Sequence, residues 1–303
     1  MSLRGFRWLL ILLSLPLIVL AIAILLHPWL SITHTSGADV AVVEGWIPAD
    51  VMPQVKEEID RRGYTRIYTT GTIRPFAYWL KKGEKIAVEL PDPISGGIEV
   101  KAAGLPDAWI RVIAGSDTMR MEGFADELRS FWMDLTDPVR NVTIEVEHNG
   151  SAGDADVIFL QQLQIRGIPA HELAANVAIE RMDGTIHEGW PTHAHYAKKL
   201  LTDLGTDGRK VTVVPVMDTK AGRTKSNAKA FANMIDTEAI GSVDVISIGV
   251  HARRSRNEFQ KACGERIEVG VIAIEDPEAP AGSWWGTKKG WMKLLKEIAG
   301  LSW

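Results

Sequence analysis

The stretch ADVAVVEGWIPAD, Ala38–Asp50, decides the fold of this chain. Its first seven residues form an almost unbroken apolar run that ends at Glu44, which is typical of a buried strand. Pro48 then favours the start of a helix, and RIYTT (Arg66–Thr70) predicts a second strand. Because a strand, a helix and a strand in this order build parallel sheets, the segment predicts an α/β domain.

The same pattern returns after residue 190, and a different one lies between. VTVVPV (Val211–Val216), VDVISIGV (Val243–Val250) and EVGVIAI (Glu268–Ile274) alternate with helical segments. Residues 84–188 are instead short alternating segments split by Gly, Pro, Asn and Asp, which predict an antiparallel sandwich. We therefore expect a Rossmann-like parallel sheet of about five strands. It is formed by residues 33–83 and 189–303, and a β-sandwich insertion interrupts it.

The N-terminal region, residues 1–32, is predicted to be a membrane anchor. Residues 8–26 (WLLILLSLPLIVLAIAILL) carry no charge and, with their flanks, match the ~30 Å hydrocarbon core of a bilayer. Arg4 and Arg7 precede this run, and the next basic residue of the Lys or Arg type is Lys56. The positive-inside rule then predicts a single-pass protein with a cytoplasmic N-terminus and a periplasmic or extracellular body. A cleaved signal peptide is the alternative, although the apolar run is long for one.

Composition and missing motifs exclude several function classes. The net charge of −4 argues against a nucleic-acid-binding protein, which usually carries a basic face. The sequence contains neither G-x-G-x-x-G after the first strand nor a Walker loop, which argues against dinucleotide and ATP binding. It also lacks the G-x-S-x-G and H-E-x-x-H signatures of common hydrolases and metalloproteases.

Polar side chains follow the predicted parallel strands, at the edge where ligands of open α/β sheets bind. The candidate catalytic residues are Glu44 and His251, as acid or base. The candidate ligand-binding residues are Gly45, Thr224, Asn227, Arg253 and Arg254. Because arginine forms paired hydrogen bonds with carboxylate and phosphate groups, the set suits an anionic ligand. Structural alternatives remain open: Glu44 and Thr224 as helix caps, His251 as a side chain that satisfies backbone groups at a helix start, and the arginines as a solvated helix face.

A loop of the predicted insertion is rich in oxygen ligands. Asn149, Asp154 and Asp156 surround two glycines there, and calcium takes carboxylate and carbonyl oxygens from such loops. The sequence thus predicts a possible calcium site, with a plain polar hairpin loop as the alternative.

Several segments of the α/β portion resemble the SanA/YdcF/ElyC-like family of bacterial envelope proteins. The segments that carry the resemblance are ADVAVVEGWIPAD, RTKSNAKA (Arg223–Ala230), GVHARRSRNEFQKACG (Gly249–Gly264) and WWGTKKGWMKLLKE (Trp284–Glu297). The resemblance implies a Rossmann-like fold, often with an N-terminal membrane helix, and a role in envelope integrity and peptidoglycan or surface-polymer metabolism. It also implies site residues at Glu44, Thr224, Asn227, His251 and Arg254. The glycine-rich first loop usual in the family is replaced here by Glu44-Gly45-Trp46.

The insertion resembles a carbohydrate-binding module of the calcium-dependent xylan-binding type. The segment that carries this resemblance is NVTIEVEHNGSAGDADVIFLQQLQIRG, Asn141–Gly167. An aspartate expected within the second strand is absent, and Leu160 and Gln161 stand near that place. The departure concerns the calcium site more than the fold.

Together these patterns predict a membrane-anchored, extracytoplasmic protein of envelope polysaccharide biology. Its expected partners are the membrane, an anionic or lipid-linked glycan precursor on the α/β domain, and a polysaccharide on the insertion; nucleic acid is not expected. Catalysis is left open, with transfer or hydrolysis at a phosphate or glycan as the expected reaction. A non-enzymatic carbohydrate-binding scaffold is the main alternative. A protein with a nucleotide cofactor is a further one, against which the missing glycine fingerprint counts.

Overall fold

The computed structural model describes residues 14, 21, 25–124, 127–149, 155–166, 168 and 175–301, the last of these by its backbone only. The chain divides into two compact units. The first, here called the α/β unit, takes residues up to 70 together with 197–214 and 219–303. The second, the β unit, takes residues 71–196 and 215–218.

Fifteen strands and five helices, all among the described residues, make up the parts of the fold that are discussed below. The strands are β1 (Val40–Glu44), β2 (Arg66–Thr72), β3 (Tyr78–Lys81), β4 (Lys85–Ile94), β5 (Gly97–Gly104), β6 (Ala108–Ala114), β7 (Asp117–Glu122), β8 (Arg129–Asp134), β9 (Val139–His148), β10 (Asp156–Ile165), β11 (Asn176–Glu180), β12 (Ile186–Glu188), β13 (Val211–Val216), β14 (Ser242–Ile248) and β15 (Glu268–Ile274). The helices are α1 (Met52–Arg62), α2 (His193–Asp203), α3 (Arg223–Met234), α4 (Ala252–Cys263) and α5 (Lys288–Leu301).

The α/β unit is built on a five-stranded sheet of order β13-β2-β1-β14-β15. The pairings β1–β2, β1–β14 and β14–β15 are parallel. The predicted parallel sheet is therefore confirmed. In chain order its strands run third, second, first, fourth and fifth, so the order reverses between β1 and β14. This reversal is the switch point at which ligands bind in doubly wound sheets.

Strand β1 shows why this sheet is covered on both faces. All five of its residues are buried. Val40 and Val42 join a core cluster with Phe231 of α3 and Phe259 of α4. Ala41 and Val43 point to the opposite face, where they join residues of α1 in a second cluster. A strand buried on both faces reads as a continuous apolar run, and each large aliphatic side chain buried in this way stabilises the fold by ~1.5–3 kcal/mol.

The β unit consists of two antiparallel sheets. One has four strands in the order β3-β10-β5-β8, and the other has six in the order β12-β11-β4-β9-β6-β7. Alternating residues of both sheets contribute to one hydrophobic core. The division differs from the predicted range 84–188, because β3 pairs with β10 and so belongs to the β unit.

The predicted anchor falls mostly outside the described residues, which begin continuously at Leu25. Within the part of the chain that the structure describes, no helix is long and apolar enough to cross a membrane.

Candidate functional site

The site lies at the switch point of the five-stranded sheet and is formed within the α/β unit. Glu44 ends β1, and His251 follows β14 at the start of α4. Thr224 lies in the first turn of α3, and Arg254 in the first turn of α4. The structure brings these four predicted residues into contact with one another or with Glu297 of α5, as the following distances show.

His251 is held between two oxygen atoms. Its Nδ1 lies 2.9 Å from Oε1 of Glu297, and its Nε2 lies 3.3 Å from Oγ1 of Thr224. An ionised carboxylate only accepts hydrogen bonds, so Glu297 requires the proton of a neutral imidazole to be on Nδ1. The Nε2 atom is then left with its lone pair, and it can accept the Thr224 hydroxyl proton. The ring is thus arranged as a general base at Nε2.

Glu297 is a buried carboxyl group that stays ionised through its neighbours. Burial by itself raises its pKa, but the hydrogen bond from His251 and the charges of His251, Arg254 and Lys296 together outweigh burial. The net result is a pKa below the usual range of a glutamate. The ionised carboxylate fixes the tautomer of His251 and stabilises the imidazolium that forms when the ring takes up a proton.

Arg254 connects Glu297 to Thr224. Its Nη1 lies 3.4 Å from Oε2 of Glu297, and its Nη2 donates to Oγ1 of Thr224 over 3.1 Å. The Thr224 hydroxyl therefore accepts from Arg254 and can donate to His251. The guanidinium group remains partly exposed, so it can also contact a ligand at the site.

Glu44 is fully buried on the other side of the His251 ring. Its Oε2 accepts hydrogen bonds from Ser247 over 2.5 Å and from Ser255 over 2.7 Å. Its Oε1 lies 3.9 Å from Nε2 of His251 and has no hydrogen-bond partner among the described residues. A protonated His251 would therefore have carboxylates on two sides. Trp46 packs edge-on against the same ring, with centroids 4.8 Å apart.

Two helices begin beside these side chains. The N-cap residues of α3 and α4 are Gly222 and His251, and neither supplies a side-chain cap. Thr224 lies inside α3, and the N-cap of α1 is Val51, so neither Thr224 nor Glu44 has the predicted capping role. The positive end of the helix dipole favours an anion at this edge.

The remaining predicted ligand-binding residues are Gly45, Asn227 and Arg253. Gly45 donates its N–H to the carbonyl of Thr70 over 2.7 Å. Asn227 is buried one turn after Thr224, and its Oδ1 has no hydrogen-bond partner among the described residues. Arg253 points to the N-terminal segment instead: its Nε donates to the Trp29 carbonyl over 2.5 Å, and its guanidinium group lies 4.3 Å from the Trp29 ring.

The predicted calcium loop is only partly described. Asn149 donates its backbone N–H to the carbonyl of Asp107, and Asp156 begins β10 with an exposed side chain. Asp154 lies outside the described residues. Within the described ranges, no group of three or more His, Cys, Asp or Glu side chains is arranged to hold a metal ion. Calcium binding remains a prediction from the sequence.

Three side chains of the candidate site were missed in the sequence. Ser247 and Ser255 hold Glu44, and Glu297 holds His251. Ser255 stands four residues after His251, a helical spacing that could have shown that it shares a face with the histidine. Ser247 is the one hydroxyl residue in the apolar run Val243–Val250, and that position was a further signal.

Comparisons with known proteins do not place the chain in a family. No protein-family model matches it, and no curated protein matches it significantly. One solved structure with local similarity is the M60 catalytic domain with the CBM51-1 and CBM51-2 domains of Clostridium perfringens ZmpB, at a TM-score of 0.25 and 7% identity; the match covers 48% of this chain and 20% of that one. A family two carbohydrate esterase from Cellvibrio japonicus has a TM-score of 0.19 and 8% identity over 76% of this chain and 98% of its own. The β-glucosidase DesR of Streptomyces venezuelae has a TM-score of 0.20 and 12% identity over 81% of this chain and 29% of its own. Likenesses at these TM-scores establish neither a fold nor a function.

Proposed function

We propose that the α/β unit is a hydrolase or transferase that acts at a phosphate group of an envelope glycan precursor, with His251 as the general base. The observation that carries this proposal is the order Glu297–His251–Thr224 beside Arg254. A carboxylate that fixes an imidazole, whose other nitrogen faces a hydroxyl, is the arrangement of a general base. The predicted membrane anchor and extracytoplasmic location supply the setting in which such a substrate occurs.

The reaction needs one proton acceptor and one group that binds the anion. His251 Nε2 takes the proton of an attacking water or sugar hydroxyl. The attacking group forms a hydrogen bond to Nε2 in the place that the Thr224 hydroxyl now occupies. The attacking oxygen forms a bond to phosphorus, the bond to the leaving oxygen breaks, and His251 returns the proton to that oxygen. Arg254 and the first turns of α3 and α4 stabilise the charge on the remaining phosphate oxygens. Glu297 and Glu44 stabilise the imidazolium in between.

The test uses the purified full-length protein with two probes, a chromogenic phosphodiester and a polyprenyl diphosphate. General acid–base catalysis contributes ~10²–10⁴-fold, so His251→Ala should lower turnover by about that factor. Because this change also removes the hydrogen bond to buried Glu297, turnover is compared at a temperature at which circular dichroism shows both proteins to be folded. Arg254→Gln should mainly weaken binding of the anionic probe. Lys261→Gln, an exposed charge change on the same helix, is the matched control. Wild-type turnover that both His251→Ala and Arg254→Gln retain would refute the assignment.

A polysaccharide-binding role for the β unit is a second candidate, and one observation favours it. Trp79 is 61% exposed, and its ring stacks on Phe159 with centroids 4.4 Å apart. On the same four-stranded sheet, Trp132 is 39% exposed and lies under the guanidinium group of Arg166. Exposed aromatic faces of this kind are suited to stacking against sugar rings.

This role is tested by sedimentation of the full-length protein with insoluble xylan and with peptidoglycan. Trp79→Ala and Trp132→Ala should each lower the bound fraction. Trp109→Ala is the matched control, since Trp109 also lies under an arginine but belongs to the six-stranded sheet. If the variants bind as wild type does, the polysaccharide does not use the four-stranded sheet. Binding without any turnover on the α/β unit would favour the scaffold alternative.

A further inference from the structure

Helix α5 has an inner face that belongs to the core of the α/β unit. Leu294 is buried, and Trp291 and Ile298 pack against the same cluster, which also contains Trp284 and Leu30. The inner face also presents Glu297 to His251. The helix is therefore fixed in its rotation, and the residues of its opposite face are held in contact with solvent.

That opposite face is apolar and basic. Met292 is 60% exposed and Leu295 is 58% exposed. The spacing of i, i+3, i+4 and i+7 puts Met292, Leu295, Lys296 and Ala299 on one stripe, and Lys288 and Lys289 lie one turn earlier. Together these six residues are called the outer face of α5. The only acidic residue of the helix is Glu297, which is buried on the inner side; Lys289 also pairs with Glu278 of the preceding loop.

The described start of the chain packs onto the same helix. Leu26 and Leu30 belong to the cluster that covers the inner face of α5. The His27 ring bonds the Ala279 carbonyl over 3.1 Å and stacks on Trp284. Arg253 holds Trp29. The residues that directly follow the apolar run of residues 8–26 therefore pack against the helix that carries the outer face.

We propose that the outer face of α5 lies in the headgroup region of a bilayer that contains anionic lipid. Apolar side chains interleaved with lysines on an exposed helix face bind such a surface, since the ammonium groups meet lipid phosphates while Met and Leu enter the acyl boundary. Trp285, which is partly exposed just before the helix, is of the residue type enriched at this interface. The continuity with residues 8–26 favours lipid over a protein partner.

Docking of the outer face would also set the distance between the candidate site and the lipid. A helix with its side chains is ~10–12 Å across, and Glu297 lies on the side of α5 opposite the outer face. A docked α5 would therefore hold His251 close to the headgroup layer, where a lipid-linked phosphate would be presented. The docking itself does not require the reaction proposed for His251.

The test places nitroxide labels on the full-length protein in vesicles of phosphatidylcholine alone or with phosphatidylglycerol. Met292→Cys and Leu295→Cys report on the outer face, and Glu57→Cys on the exposed side of α1 is the matched control. Burial raises the pKa of the native Cys263 thiol to about 11, so that thiol stays unlabelled at neutral pH. With phosphatidylglycerol, labels 292 and 295 should become accessible to oxygen and protected from a water-soluble nickel chelate, and label 57 should stay in water.

A charge variant separates this face from the anchor. Replacing Lys288, Lys289 and Lys296 by Gln should abolish the dependence on phosphatidylglycerol, whereas replacing Lys210, Lys229 and Lys261 should not. Both proteins carry the same residues 8–26, so the comparison holds whether or not that segment crosses the bilayer. Labels 292 and 295 that remain accessible to the nickel chelate in phosphatidylglycerol vesicles would overturn the proposal. Protection from both reagents regardless of lipid would overturn it as well, since protein would then cover the face.

Discussion

A carboxyl group is buried at each of the two ends of the parallel strands in the five-stranded sheet, and the two groups differ in their hydrogen bonds. Asp244, near the start of β14, has both oxygens in hydrogen bonds: Ser36 donates its N–H and its hydroxyl to Oδ1, and Tyr64 donates to Oδ2. Glu44, at the opposite end of β1, has its hydrogen bonds on Oε2 only, and its Oε1 faces His251. A buried polar atom without a hydrogen-bond partner costs stability and therefore needs an explanation, and a functional role is one such explanation. The difference predicts a structural role for Asp244 and a functional role for Glu44.

The largest effect expected from this comparison is on stability at Asp244. Asp244→Ala leaves the Tyr64 hydroxyl and the Ser36 N–H without their partner, and each buried donor left unsatisfied costs ~1–3 kcal/mol. We expect the free energy of unfolding to fall by ~2–4 kcal/mol in denaturant titrations. Tyr64→Phe removes one of these hydrogen bonds and should cost less. Equal stability of Asp244→Ala and wild type would refute the structural role of Asp244.

Glu44→Gln should reverse this pattern, with a small effect on stability and a larger one on turnover. The amide has the same shape, and its oxygen can still accept from Ser247 and Ser255. The negative charge 3.9 Å from His251 is lost, however, and the imidazolium is less stabilised. We expect turnover to fall about tenfold, the equivalent of ~1.4 kcal/mol, with a change below ~1 kcal/mol in the free energy of unfolding. A variant that unfolds easily but turns over normally would make Glu44 structural too.

The contrast also separates what sequence could predict from what it could not. The apolar runs of β1 and β14 predict a parallel sheet, and the carboxyl ends of parallel strands meet at one side of the sheet. The proximity of Glu44 and His251 could therefore be predicted from the sequence. Arg253 and Arg254 are adjacent, and only the packing of α4 decides that one faces Trp29 and the other Glu297.

The role of Glu297 could not be predicted from the sequence, for a different reason. It lies in KKGWMKLLKE, Lys288–Glu297, where four lysines and this one glutamate are interspersed with apolar residues, as charged residues are on many surface helices. Its role depends on how α5 docks onto the start of α4, a tertiary contact that periodicity within either helix does not predict. The same docking leaves Met292 and Leu295 exposed, which periodicity alone would assign to the core.

The smallest effect expected is the pH dependence of stability at Glu297, and it tests whether this buried acid is ionised as the site requires. A folded-state pKa below the ordinary glutamate value of about 4.3 stabilises the fold fully above that value, and the stabilisation is lost as the pH falls through the folded pKa. The stability difference between wild type and Glu297→Gln should therefore shrink as the pH is lowered below about 4.3, as measured by thermal unfolding.

Glu278 supplies the matched control for this measurement. Its pKa is also lowered, by hydrogen bonds from Lys293 and Lys289, but its carboxylate is exposed. Solvent and salt screen an exposed pair much more than a buried one, so the Glu278→Gln difference should be small and should fade in high salt. The Glu297→Gln difference should persist there, because His251 and Arg254 contact that carboxylate in a buried site. If both differences fade alike, the Glu297–His251 contact is a surface ion pair, and His251 loses the fixed carboxylate on which its role as general base depends.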